Sequence, residues 1–117
     1  MPTARMRRVN EAVREVISTR VAEGLKDPRV GFVTVTSVDT SADLRHSRVY
    51  VSILGDADSR QEALDGLASS SGFLQSELAA QLTLKRTPTL EFVYDDSIDR
   101  GMRITELLQP EAPKEPS

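Results

Sequence analysis

The chain has 117 residues, with no Cys, no Trp, two Tyr and three Phe, and a formal net charge of −3. Without cysteine there is no disulfide framework, no thiolate nucleophile and no cysteine zinc site. The length suits one domain that buries about 65% of its unfolded surface. The charge is split unevenly. Residues 1–50 carry nine Lys/Arg against six Asp/Glu, and residues 51–117 carry six against twelve. A polyanionic partner would therefore have to meet a local basic face. No apolar run approaches the roughly 18 residues of a membrane span. The N-terminus is charged and has no apolar stretch behind it, so the reading is a cytoplasmic protein without a secretory signal or membrane anchor.

In chain order, Arg5 to about Glu23 reads as a helix. Met6, Val9, Val13, Val16, Ile17 and Val21 recur at steps of three and four and make one apolar stripe. Arg7 and Arg14 project at similar angles, seven residues apart, and Arg8 and Arg20 widen the basic surface. Gly24 ends the helix, and Lys26-Asp27-Pro28-Arg29 turns the chain. Val30 to Thr40 is a strand whose alternation loses phase at Val38, the mark of a bulge. After Ser41-Ala42-Asp43, Leu44 to Leu54 is a second strand, with Val49, Val51 and Ile53 on one face; the two form an antiparallel hairpin. Ser59 and Glu62 have capping-box spacing and predict a second helix start at Ser59.

That helix continues its stripe through Leu64, Leu67, Phe73 or Leu74, Leu78 and Leu82, across poor helix formers at Ser69-Ser70-Ser71-Gly72. A kink is expected there, with Gly72 admitting a close backbone approach. Lys85 and Arg86 are expected in the last turn, before Thr87-Pro88 stops the helix. Leu90, Phe92 and Tyr94 alternate in a third strand, residues 98–108 read as a short helical packing segment, and the proline-rich residues 109–117 as a disordered tail. The fold class is α+β in the order α-β-β-α-α-β, a three-stranded sheet with helices packed on one face and a kinked α2-α3 pair.

Catalytic chemistry finds little support. The single histidine, His46, lies mid-strand between Arg45 and Arg48, and no phosphate-binding glycine loop is present. Asp95, Ser97, Asp99 and Glu106 occupy calcium-loop spacings, but Arg100 stands where the sharp turn needs glycine. Binding is better served. The cationic candidates are Arg5, Arg7, Arg8, Arg14, Arg20, Arg45, Arg48, Lys85 and Arg86. Arginine suits phosphate because its planar fork donates two bonds at once. A kinked helix pair with a small-residue junction at Ser70, Ser71 and Gly72, flanked by bases, suits an RNA backbone.

Three blocks in order carry a stronger signal: RVNEAVREVIS at the start, DPRVGFVTVTSVDTSADLRHSRVYVSIL from Asp27 to Leu54, and SSSGFLQSELAAQLTLKRTPTLEFVYDDSIDRGMRITELL from Ser69 to Leu108. Together they resemble the ribosome-binding factor A family over about residues 4–108. The resemblance implies a KH-like fold of the type II order, in which an Ala-x-Gly kink stands where ordinary KH domains carry a GxxG loop. Here the kink residues are Ser70-Ser71-Gly72, with serine in place of alanine, and its hydroxyl is expected to cap the following helix or meet a phosphate. The resemblance implies one KH-like ribosome-binding domain over residues 1–108. It further implies a non-enzymatic maturation factor for the small (30S) ribosomal subunit and its precursors. Such a factor binds 16S ribosomal RNA, supports processing of the 16S precursor's 5′ end, matters for growth in the cold, and cooperates with a ribosome-assembly GTPase. No cofactor is implied, and a monomer is expected. The alternative reading is a protein-interaction module with no direct RNA contact.

Overall fold

The computed structural model describes residues 3–97; the expected packing segment at 98–108 and the tail at 109–117 lie outside the described residues. The elements are α1 (Ala4–Glu23), β1 (Val33–Thr40), β2 (His46–Ile53), α2 (Ala57–Ser69), α3 (Ser71–Gln81) and β3 (Thr89–Tyr94). This is the order expected from the sequence. Helix α1 forms because both of its ends are satisfied. Thr3 Oγ1 accepts a hydrogen bond from the Met6 N–H at 3.1 Å, and Gly24 closes the helix at φ 101°, a conformation that costs glycine little. Its stripe faces the core as predicted: Met6, Val13, Val16 and Ile17 are buried, and Val9 and Val21 pack at the margin.

Strand β2 lies at the centre of the sheet, antiparallel to β1 and parallel to β3. Parallel neighbours need a long crossover, and α2 with α3 supplies it. The phase break in β1 is a bulge at Thr36, where the register slips between Val35 and Ser37. The slip returns Val38 to the face already occupied by Val35, so both are buried. The Thr36 hydroxyl lies 2.6 Å from an Asp95 carboxylate oxygen and so ties the bulge to the end of β3.

Both strands of the hairpin are shorter than their sequence pattern suggests. Leu44 does not open β2; it sits in the connecting turn at φ 62° and is nonetheless buried. A left-handed leucine is strained by about 1–2 kcal/mol. The turn is held by Asp43, whose carboxylate accepts from the Ser41 hydroxyl (2.7 Å) and the Arg45 N–H (3.0 Å). β1 likewise begins at Val33, because Gly31 turns at φ 60°.

The capping-box reading of α2 is corrected. The cap is Asp56, whose Oδ1 accepts from the Ser59 N–H at 2.8 Å, so Ser59 lies inside the first turn. Leu67, Leu74 and Leu78 carry the buried stripe across the break, and Phe73 is the residue turned outward, 51% exposed. The break is a single residue, Ser70, at φ −91° and ψ 0°. Its hydroxyl donates back to the Gly66 carbonyl at 3.0 Å, and Ser71 donates back to the Ala68 carbonyl at 2.8 Å. The serines therefore finish α2; Ser70 gives α3 no side-chain cap.

The glycine of close approach is Gly66, not Gly72. A Cβ at Gly72 would meet nothing within 4 Å. One at Gly66 would lie 3.0 Å from Val30 Cγ2, 3.2 Å from Arg29 Cβ and 3.3 Å from Asp27 Oδ1. The α1–β1 turn thus lies directly on the backbone of α2. A leucine at Gly66 should destabilise the domain by about 1–3 kcal/mol through overpacking. Gly72→Ala should be neutral or stabilising by up to about 1 kcal/mol. Thermal melts of the two variants check the assignment; a lowered midpoint for Gly72→Ala with an unchanged one for Gly66→Leu would reverse it.

Candidate nucleic-acid interface

The structure divides the nine cationic candidates into two groups. Arg14 pairs with Glu11, Arg20 with Glu23 and with Glu77 (2.8 Å each), Arg45 with Asp43 (3.4 Å) and Arg48 with Glu91 (3.3 Å). The hydrogen bonds of the first pair lower the Glu11 pKa and raise that of Arg14. Arg5, Arg7, Arg8, Lys85 and Arg86 are exposed and make no ion pair with a described residue. Exposed pairs contribute little to stability, about 0–1 kcal/mol, so a phosphate could displace a carboxylate. The five are the candidates without a carboxylate partner among the described residues; Lys26, beyond the other end of α1, is likewise exposed and in no ion pair with a described residue.

Lys85 and Arg86 are not in a helical turn. α3 ends at Gln81, and both lie in the connection to β3, which places them by tertiary contacts and not by the helix dipole. That connection docks on the hairpin end of the sheet. Pro88 is fully buried, the Thr89 N–H donates to the Arg45 carbonyl at 2.9 Å, and Thr89 Oγ1 lies 2.8 Å from His46 Nδ1. His46 thus joins the starts of β2 and β3. The first half of α1 reaches the same end: Asn10 Oδ1 accepts from the Thr40 N–H at 2.8 Å, beside the buried Thr40–Ser47 hydroxyl pair. Arg7 and Arg14 flank a groove of about 260 Å³ between α1 and the bulged edge of β1. The first half of α1, with Arg5, Arg7 and Arg8, and the α3–β3 connection, with Lys85 and Arg86, thus both contact the hairpin end of the sheet.

The kink lies at the other end of α1, which at 1.5 Å per residue is ~30 Å long. The small-residue junction, expected from the sequence to be flanked by bases, therefore lies away from the basic first half of α1. The junction is instead clasped by the Asp27-Pro28-Arg29 turn. Arg29 donates from Nε (3.0 Å) and Nη2 (2.7 Å) to the two Asp27 oxygens, its backbone N–H donates to the same carboxylate (3.0 Å), and Nη2 reaches Ser69 Oγ at 3.0 Å. The hydrogen bonds from Arg29 hold the Asp27 carboxyl down to about 2, and Arg29 is raised in turn. Sequence reasoning saw the turn but missed the clasp. Its available signal was a short Asp–Arg spacing ahead of a glycine in the interior of a helix. A cleft of about 770 Å³ opens beside it, between the end of α1 and Phe73.

Residues 5–108 match the family model described as ribosome-binding factor A. The chain belongs to the ribosome-binding factor A family. Proteins of that name from Natranaerobius thermophilus (44% identical over 109 residues, covering 93% of this chain and 83% of that one) and Geobacter sulfurreducens (44% over 105 residues, covering 90% and 89%) are among its relatives. The crystal structure of ribosome-binding factor A from Thermus thermophilus superposes with a TM-score of 0.67 at 26% identity, covering 76% of this chain and 94% of that one. A Thermotoga maritima protein solved by NMR gives 0.69 at 30% identity, covering 80% and 89%. The fold is the KH-like fold of ribosome-binding factor A. A further Thermus thermophilus match, fitted into a cryo-EM map of a 30S–RbfA complex, gives 0.59 at 27% identity, covering 82% and 97%.

The clasp of this ribosome-binding factor A chain has a pH signature. The folded pKa of Asp27 is depressed, so its stabilising contribution is present above the unfolded value of 3.8 and is lost as pH falls through about 2. Arg29→Leu should return the Asp27 midpoint towards 3.8 and remove the acid sensitivity in that window. A carboxyl-carbon NMR titration reads the midpoint directly, and an unmoved midpoint in the variant would refute the clasp as its cause.

Proposed function

We propose that this protein binds the small (30S) ribosomal subunit or its precursors during maturation and meets 16S ribosomal RNA with the cationic end of the molecule. The observation that carries the reading is the separation of charges. Arg5, Arg7, Arg8, Lys85 and Arg86 have no carboxylate partner among the described residues and are carried by two segments that both contact the hairpin end, while the remaining candidates are already paired. Phosphate contacts position a protein on RNA, and the arginine fork serves them best. Family membership and the Thermus thermophilus 30S complex support the choice of partner.

In this reading the protein acts by binding and is not an enzyme. It supports processing of the 16S precursor's 5′ end and growth in the cold, works as a cytoplasmic monomer, and leaves the subunit with the help of a ribosome-assembly GTPase. Among the described residues no helix is long and apolar enough to cross a membrane, and no group of acidic or histidine side chains could hold a metal ion.

Charge reversal at Arg7, Arg8, Lys85 and Arg86 together should lower subunit affinity by ~100-fold or more. It should also reduce the slope of log K against log salt by about 4, one for each lost phosphate contact. Co-sedimentation with purified 30S subunits over a salt series measures both. A variant that keeps its thermal midpoint and its subunit affinity would refute the proposed interface.

A further inference from the structure

Among the described residues, Phe32 and Leu54 are the most exposed of the large apolar side chains, at 83% and 80%. They are neighbours. The Leu54 N–H donates to the Phe32 carbonyl at 3.4 Å, one step beyond the Val33–Ile53 pair of the hairpin. Single exposed apolar residues are ordinary on a protein surface. These two instead share the wall of one cavity of about 390 Å³ with Arg60, Tyr94 and Asp95. The charged residues that line it, Arg60 and Asp95, are one of each sign, so the cavity exerts no net pull on a polyanion.

The chain itself arrives at this place. β3 runs parallel to β2 with Tyr94 beside Val51, and the Asp95 N–H donates to the Val51 carbonyl at 2.7 Å. The Asp95 carboxylate then accepts from the Ser97 N–H at 2.9 Å, a turn that ends the extended run at the cavity wall. Residue 98 thus follows a lining residue by no more than ~10 Å of chain. The stretch that begins there is rich in apolar side chains: Ile98, Met102, Ile104, Leu107 and Leu108, with Arg100 and Arg103 balancing Asp99 and Glu106. The family match includes this stretch and stops at residue 108, so 98–108 belongs to the unit that the family shares and the proline-rich residues after it do not. A segment tethered this closely acts at an effective concentration in the millimolar range, which a separate partner would have to exceed.

We propose that residues 98–108 dock on the Phe32–Leu54 patch, with Ile98 and Met102 against the two exposed side chains, and that the folded domain extends to residue 108. The open end of the hairpin is then closed by the protein's own chain. This closure requires neither RNA nor the ribosomal subunit, and it stands or falls separately from the proposed function.

Hydrogen exchange and a double-mutant cycle, both on the full chain, test this. In the native chain the amides of residues 102–108 should be protected at least ~10-fold more than those of residues 111–117. Phe32→Ala should remove that difference. Phe32→Ala and Met102→Ala should each lower the thermal midpoint by about 4–8 °C, and the double variant by little more than either alone, because both remove the same contact. Equal protection of the two segments in the native chain, or an unchanged midpoint in either single variant, would overturn the proposal. Additive losses in the double variant would also overturn it, since they would place the two side chains in separate sites. A native midpoint that rises with protein concentration, with the effect of Phe32→Ala confined to high concentration, would put a second copy of the chain in the cavity instead.

Discussion

The missing side chain at Gly66 is the constraint on which the arrangement depends. It lets the Asp27–Arg29 turn lie on the backbone of α2, and Arg29 then spans from Asp27 to Ser69 at the end of that helix. This contact fixes the end of α1 relative to the α2–α3 crossover. The crossover in turn delivers β3 to β2 in parallel register, with Phe92 beside Val49 and Tyr94 beside Val51. Bulk at Gly66 would push the turn away and shift the layers whose packing defines the core.

The core follows from patterning in a simple way. The α1 stripe, the inward faces of three strands and the Leu67–Leu74–Leu78 row meet around Ile17, Val49 and Val51, all fully buried. Arg60 over the Tyr94 ring, at 4.6 Å to its centroid, seals the edge where α2 crosses β3. At that margin lie Phe32 and Leu54, at the open end of the hairpin and 83% and 80% exposed.

Most of the fold was legible because it rests on periodicity. The α1 stripe, the bulge before Val38, the antiparallel hairpin and the kink at the serines all leave local marks in the sequence. What stayed hidden depended on distant partners. Gly66 looks like any weak helical residue until the turn that covers it is known. Leu44 looks like a strand residue because its burial is apolar, while its backbone conformation is set by Asp43 and Ser41. Lys85 and Arg86 looked helical because the leucine row runs on to Leu82, yet the helix has stopped at Gln81. For the candidate site, the sequence named the cations but could not say which already had carboxylate partners. Pairs such as Arg20–Glu77 and Arg48–Glu91 join residues remote in the chain.

The junction at Ser70 carries a consequence for recognition. Where a flexible loop between two helices must be immobilised when a partner arrives, ordering each residue costs about 1–2 kcal/mol of backbone entropy. Here α2 passes to α3 through one residue whose N–H is bonded to the Gly66 and Leu67 carbonyls and whose carbonyl accepts from Leu74. No slack remains to be frozen, so the angle between the two helices is set when the chain folds. A partner that fits this angle meets a rigid template, and one that does not cannot be accommodated by adjusting the junction.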